Sequence, residues 1–211
     1  MKIEVINFTK SIDKIKVLEN VNVLLESGNI YGLVGKNGSG KTMFLRMIAG
    51  LILPTIGEVR VNERVLGKDT SFPDDLGILL EKPSFLPHLT GYENLQMLAK
   101  IRNVTSNKEI QSFMNLFDLD WKSNKKIKEY SLGMKQKLGI IQAIMENQQI
   151  IILDEPFNAL DESSVETLRQ VLEKLKAEHK LIVMTSHNKE DIQLLCDHTF
   201  MISDGKVIAL Q

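Results

Sequence analysis

At 211 residues, 43% of them hydrophobic, the chain suits one domain with a sizeable core and room for a small inserted subdomain. Lys and Arg total 26 against 27 Asp and Glu, a net charge of −1, so the basic excess behind sequence-independent nucleic-acid binding is missing and no nucleic-acid partner is expected. The one cysteine, Cys196, excludes an internal disulfide and suits a reducing compartment, and no run approaches the ~18–20 apolar residues of a membrane-spanning helix.

The opening MKIEVINF carries Glu4 and no long apolar core, so it does not read as a signal peptide. A soluble chain is expected, one that reaches a membrane only by docking on another protein. Residues 2–8 and 15–25 alternate in hydropathy and predict an antiparallel β-layer. Ser27-Gly28-Asn29 turns into an apolar strand, Ile30 to Val34. Helical spacing follows from Thr42 to Ala49, with Gly50 at its C-cap and Pro54 as a stop. Gly57 to Val65 predicts a hairpin turning at Asn62-Glu63. Pro73-Asp74-Asp75 is a turn before a short buried strand, 76–80.

From Glu81 the character changes. EKPSFLPHL holds two prolines and exposed apolar residues, and Thr90 with Glu93 forms a capping box. Helices are predicted over 93–101, 107–118 and 132–146, with polar joints at 103–107 and 122–128, the latter a basic, solvated loop. Residues 81–147 thus read as a helical subdomain inserted into an α/β core of residues 1–80 and 148–211. From residue 150 the alternation returns: strand 150–154, helix 162–178, strand 181–185, helix 189–196, and a hairpin of 199–203 and 207–210 turning at Asp204-Gly205. Cys196 falls on the apolar face of its helix and reads as a packed thiol.

Three groups of residues carry chemistry. Gly35, Lys36, Asn37, Gly38, Ser39, Gly40, Lys41 and Thr42 stand between a strand and a helix start, the arrangement of a phosphate-binding loop. Glycines let the backbone approach phosphate oxygens, and the helix N-terminus adds a favourable dipole. Lys41 supplies charge for the β- and γ-phosphates, and Thr42 a hydroxyl for Mg²⁺. Asp154 closes the apolar run Ile150–Leu153, where it can hold Mg²⁺; Glu155 follows at the strand's mouth, placed to orient a water and take its proton. His187 lies just beyond strand 181–185. That strand runs parallel to the loop strand, so His187 opens on the same crevice and can reach the γ-phosphate.

A GTPase is the rival reading, since Asp74-Asp75-Leu76-Gly77 fits D-x-x-G and Asn188-Lys189-Glu190-Asp191 fits N-K-x-D. Asp74, however, follows a turn instead of ending a buried strand, and Asn188 reads equally well as a helix N-cap.

Taken together these residues resemble the ATP-binding subunits of ABC transporters over nearly the whole chain. Gly35–Thr42 is similar to the Walker A loop, Ile150–Asp154 to the Walker B strand, Glu155 to the catalytic glutamate and His187 to the switch histidine. Asn158 to Asp161 resembles the D-loop. Tyr130-Ser131-Leu132-Gly133-Met134 resembles the signature motif, with Leu132 and Met134 where Gly and Gln are usual. The resemblance puts Glu81 in the place of the Q-loop glutamine, beside Mg²⁺, and Ile12 in that of the adenine-stacking aromatic. It implies ATP and Mg²⁺ as ligands, with ATP held between the Walker A loop of one subunit and the signature residues of another in a head-to-tail dimer. It further implies a separate membrane permease received in a groove at Glu81–Asn94, with Phe85, Leu86 and Tyr92 as apolar contacts. The location implied is the cytoplasmic face of the cell membrane, and the cargo class is an exported drug, peptide or lantibiotic. Two alternatives stand beside this: a soluble ATPase of the same type acting on ribosomes or DNA, and a regulator that binds ATP without hydrolysing it.

Overall fold

The computed structural model describes residues 1–81 and 83–210. Strands β1 (Lys2–Ile12) and β2 (Ile15–Glu26) form a long antiparallel hairpin, extended by β4 (Ile56–Val61) and β5 (Arg64–Val65) in the order β2-β1-β4-β5. β1 runs four residues beyond its expected end at Phe8. The ladder with β2 shifts register after Val5, where Asn7 takes a left-handed φ of 47°, and Phe8 and Thr9 are buried in succession. A bulge of this kind breaks the period-two pattern by which a strand is recognised. The hairpin then closes on Asp13-Lys14, both left-handed (φ 48° and 68°), a two-residue turn made without the Asn-Gly or Asp-Gly that advertises one. The two turns that were expected, Asn62-Glu63 and Asp204-Gly205, have the same geometry.

The second sheet has the order β10-β9-β3-β8-β7-β6. β3 (Ile30–Val34), β6 (Leu76–Leu79), β7 (Ile150–Leu153), β8 (Leu181–Thr185) and β9 (His198–Ser203) are parallel, and β10 (Lys206–Leu210) pairs antiparallel with β9 at the edge. Every residue of β7 and β8 is buried, because both faces of the sheet are covered. On one face α1 (Lys41–Ile48) lies between the two sheets. Its Phe44, Leu45, Met47 and Ile48 are packed with Phe8, Leu18 and Leu25 of the antiparallel layer and with Leu33, Ile152 and Val183 of the parallel one.

The other face carries α2 (Gly91–Arg102), α3 (Asn107–Leu116), α4 (Leu132–Ile144), α5 (Glu162–Ala177) and α6 (Lys189–Leu195). The α2 capping box is present: Glu93 N–H donates to Thr90 Oγ1 (3.1 Å) and Thr90 N–H to Glu93 Oε2 (2.6 Å). α3 and α4 each end two residues before their expected limits, as the chain turns through left-handed Asp118 and Asn147. α4 lies so close on β6 that a Cβ on Gly77 would stand 1.8 Å from the carbonyl oxygen of Ala143. The apolar core of the helices over 91–144 is therefore continuous with that of β7 and β8.

The basic stretch 122–128 is not the free, solvated loop expected of it. Lys126 pairs with Glu93 (3.2 Å), Ile127 is buried, and its N–H donates to the carbonyl of Leu89 (2.9 Å), pinning the stretch beneath the start of α2. At the far end, Cys196 caps α6 with its sulfur over Gly32. Burial first, and then the nearby Asp197 and Asp191 charges, push the thiol up to about 12.

Candidate functional site

The parallel strands β3, β7 and β8 all end on one crevice, as their common direction requires. From β3 the chain enters the loop 35–40 and then α1. A Cβ on Gly35 would lie 2.3 Å from the carbonyl oxygen of Ile202 and 2.7 Å from Ser39 Oγ, at φ 152°, so only glycine fits this turn. α1 has no side-chain cap and no acidic residue in its first turn, which leaves its N-terminal N–H groups and their dipole for an anion. Lys41 is buried and folds back over the loop, donating to the carbonyls of Gly35 (2.9 Å) and Lys36 (3.2 Å). Among the described residues, Ser39 Oγ is buried with no hydrogen-bond partner.

At the end of β7, Asp154 N–H donates to Leu79 O (2.7 Å) and the side chain is held on both oxygens. Thr42 Oγ1 donates to Oδ2 (2.8 Å) and Thr185 Oγ1 to Oδ1 (2.7 Å). Glu155 turns through a left-handed φ of 52°. Its N–H donates to Thr185 Oγ1 (2.7 Å), and its Oε2 accepts the His187 N–H (3.0 Å). Its other oxygen, Oε1, lies 3.3 Å from His187 Nε2 without a hydrogen bond, buried and unpartnered among the described residues. Burial pushes the Glu155 carboxyl above the usual glutamate range; the positive field of His187 and its N–H oppose this, and the Asp154 charge adds to it. Gln136 of α4 donates to the carbonyls of Glu155 (3.1 Å) and Pro156 (3.2 Å), fixing the chain just beyond the carboxylates.

These groups wall an open cavity of about 680 Å³, with the loop and Thr42 on one side and Glu81, Leu132, Asp154, Glu155 and His187 on the others. The residues fit a nucleoside triphosphate with its cation. The uncapped N-terminus of α1 and the Lys41 ammonium match phosphate oxygens. A hydroxyl and a carboxylate 2.8 Å apart suit Mg²⁺, which keeps water and phosphate ligands and needs only one or two from protein. No group of three His, Cys, Asp or Glu among the described residues gathers as an all-protein metal cage.

The remaining expected residues fall in varied places. Glu81, left-handed at φ 52°, lines the cavity but pairs with Arg46 of α1 (2.6 Å), which offsets its charge. Ile12, the last residue of β1, is exposed. A second hollow of about 500 Å³ beside residues 35–40 is walled by Ile15, Lys16 and Val17 of β2. Ser131 caps α4, its Oγ accepting Met134 N–H (3.2 Å). Ser131 and Leu132 are exposed, Gly133 and Met134 half-buried. Asp161 caps α5 and gathers Ser164 Oγ, Ser163 Oγ and Lys137 Nζ, which hold its carboxyl well below the usual range. In the stretch proposed to receive a partner, Phe85 is half-buried on the core and Leu86 exposed. Asn94 grips the Leu86 backbone (2.8 Å), and Tyr92 leans on Trp121. Lys82 of that stretch lies outside the described residues. The GTPase alternative loses its pattern: Asp74 pairs with Arg64 (2.8 Å) ahead of β6, and Asn188 caps α6.

Sequence reasoning missed Thr185, Gln136 and Lys137. A hydroxyl closing the all-apolar strand Leu181–Thr185 was the one available signal; the other two are set by the packing of α4.

A family profile described as "ABC transporter" matches residues 18–158. The chain is 43% identical over 205 residues to an uncharacterised ABC transporter ATP-binding protein, YybJ, of Bacillus subtilis, covering 97% of this chain and 94% of that one. It is 36% identical to the bacitracin transport ATP-binding protein BcrA of Enterococcus faecalis (98% and 68%), and 32% to the lantibiotic transport ATP-binding protein SrtF of Streptococcus pyogenes (96% and 87%). Among solved structures, a dimeric post-hydrolysis state of the ATP-binding cassette MJ0796 bound to ADP and Pi superposes with a TM-score of 0.85 at 26% identity, covering 99% and 98% of the two chains.

Proposed function

The chain belongs to the ABC transporter family as an ATP-binding subunit, and from that premise we propose that it is a Mg²⁺-dependent ATPase. In this reading it works as a head-to-tail dimer on the cytoplasmic face of a membrane permease, driving export of a bacitracin- or lantibiotic-like peptide. The cargo class rests on the likeness to BcrA and SrtF, and the dimer on the likeness to the MJ0796 cassette. Among the described residues no helix is long and apolar enough to cross a membrane.

The observation that carries hydrolysis is Glu155 Oε1: buried on the cavity wall, without a hydrogen bond among the described residues, 3.3 Å from His187 Nε2, and on a carboxyl whose basicity burial has raised. Such an oxygen orients water and accepts its proton as the water adds to the γ-phosphorus and the bond from that phosphorus to the β–γ bridging oxygen breaks, releasing ADP and phosphate. Lys41 exchanges its two carbonyls for the β- and γ-phosphates, and the loop N–H groups hold the phosphate chain in line. Thr42 and Asp154 would hold Mg²⁺, which offsets the charge that develops on the phosphates. His187, 3.3 Å from Glu155, is positioned to turn to the γ-phosphate and leave Oε1 to the water. Exposed Ser131 and the N-terminus of α4 offer the partner protomer's nucleotide a hydroxyl and N–H groups.

Glu155→Gln should keep ATP binding, trap an ATP-dependent dimer in light scattering, and lower phosphate release by about 10²–10⁴-fold, the span of a general base. Turnover at the wild-type rate in that variant would overturn the assignment. One observation favours a second reading, nucleotide binding without turnover: Glu81 is neutralised by Arg46 instead of being free toward Mg²⁺. Absence of phosphate release by wild type, both alone and with its permease, would select it.

A further inference from the structure

Asp154 and Glu155 perform different tasks, yet one side chain outside β7 touches both. Thr185 ends β8 beside β3 and is fully buried, in register with Leu33. Its hydroxyl is used in both senses: Oγ1 donates to Asp154 Oδ1 (2.7 Å) and accepts the Glu155 N–H (2.7 Å). We propose that Thr185 is a positioning residue for the reaction, setting with one hydroxyl the rotation of the Asp154 carboxylate and the backbone turn that aims Glu155. The inference rests on the ATPase reading above and deepens it.

The geometry leaves little slack for any other part. The second Asp154 oxygen is taken by Thr42, so the carboxylate has a single orientation only while Thr185 holds the first. Glu155 is left-handed at φ 52°, a conformation that a non-glycine residue keeps only when its surroundings fix it. The Thr185 hydroxyl satisfies the N–H that this turn directs away from the strand ladder. Because Thr185 opens directly into Ser186 and His187, the same residue also links the carboxylates to the histidine whose N–H donates to Glu155 Oε2. Removing the hydroxyl unlocks Asp154 and Glu155 together, and a merely space-filling side chain would not do so.

The test compares Thr185→Val, which keeps shape and loses the hydroxyl, with Thr185→Ser, which keeps the hydroxyl and loses a methyl. Thr185→Ala is carried in case the valine variant does not fold. Two quantities are read on the full chain: phosphate release, and Mn²⁺ binding at saturating ADP, followed by the free-Mn²⁺ paramagnetic resonance signal. Valine (or alanine) should weaken Mn²⁺ binding and lower kcat by about 10–100-fold each, the usual span for a partner that orients a metal ligand. Metal-free ADP affinity should stay near wild type, and serine should recover most of both losses. Wild-type kcat and Mn²⁺ affinity in the valine or alanine variant would overturn the proposal, as would equal impairment by serine and valine, which marks a packing role. These results leave wild-type turnover intact, whereas a wild-type chain without metal-dependent phosphate release would overturn the ATPase reading and this inference with it.

Discussion

The Glu155 carboxyl titrates above the ordinary glutamate range because burial strips water from its charged form, and His187 recovers only part of that loss. An acid raised in this way binds its proton more tightly folded than unfolded. Its stabilising contribution is complete below the ordinary glutamate value and is lost as pH rises through the folded value. Ionising Glu155 therefore works against the fold as pH rises. Glu155→Gln removes the titration, so its melting temperature should exceed that of wild type at neutral pH, and the gap should close on acidification. A gap of equal size at both ends would contradict the account. For the same reason, the acid limb of a kcat/KM–pH profile should fall above the ordinary glutamate range.

The residues named for phosphate and metal were legible in the sequence because short spacing and strand endings fix them: a loop of eight residues, and a carboxylate closing an apolar strand. Thr185 and Gln136 were not legible. Each acts across elements, over 31 residues to Asp154 in one case and 19 to Glu155 in the other, and nothing local records such a pairing.

Among elements, α4 deserves to be read as a strut. Its N-terminus carries Ser131 and Leu132, its middle fixes the Glu155 and Pro156 carbonyls through Gln136, and its last turn presses the Ala143 carbonyl onto Gly77 of β6. The signature residues are thereby joined to the sheet by one rigid helix. Gly77→Ala places a methyl against backbone that cannot rotate away, and should cost about 3 kcal/mol, at the upper end for overpacking. Urea denaturation would read this directly; a loss below about 0.5 kcal/mol, the scale of surface substitutions, would show that α4 can shift. Periodicity found this helix, and the capping box of α2 was visible in Thr90 and Glu93; that of α3, Ser106 with Glu109, was not read although it has the same spacing. The strand β1 was cut short because a bulge interrupts the alternation from which it was read.

At the scale of the molecule, the cavity is one-sided. The loop, carboxylates and histidine face outward, and an exposed Leu132 stands on the rim at the start of α4. The stretch after β6, proposed as the permease contact, offers Phe85 and Leu86, with the Leu86 backbone held by Asn94. Phe85→Asp should abolish co-purification with the permease while leaving ATP affinity within about twofold, a change of less than 0.5 kcal/mol. Retained co-purification would remove this stretch from the interface. The fold class was legible from the pattern of elements; the way the two sheets enclose α1 was not, since it brings β7 and β8, distant in sequence, into one core with β1 and β2.

Cys196 has a practical consequence. Its sulfur is pressed against Gly32, and its thiol, pushed up to about 12, holds almost no thiolate at neutral pH. Because this is the chain's one cysteine, a cysteine introduced on an exposed rim, at Leu132 or Leu86, becomes a selectively reactive handle for maleimide dyes without Cys196 being replaced. Two such dyes, one on each protomer, make an optical ruler for closure and reopening of the composite sites during the nucleotide cycle.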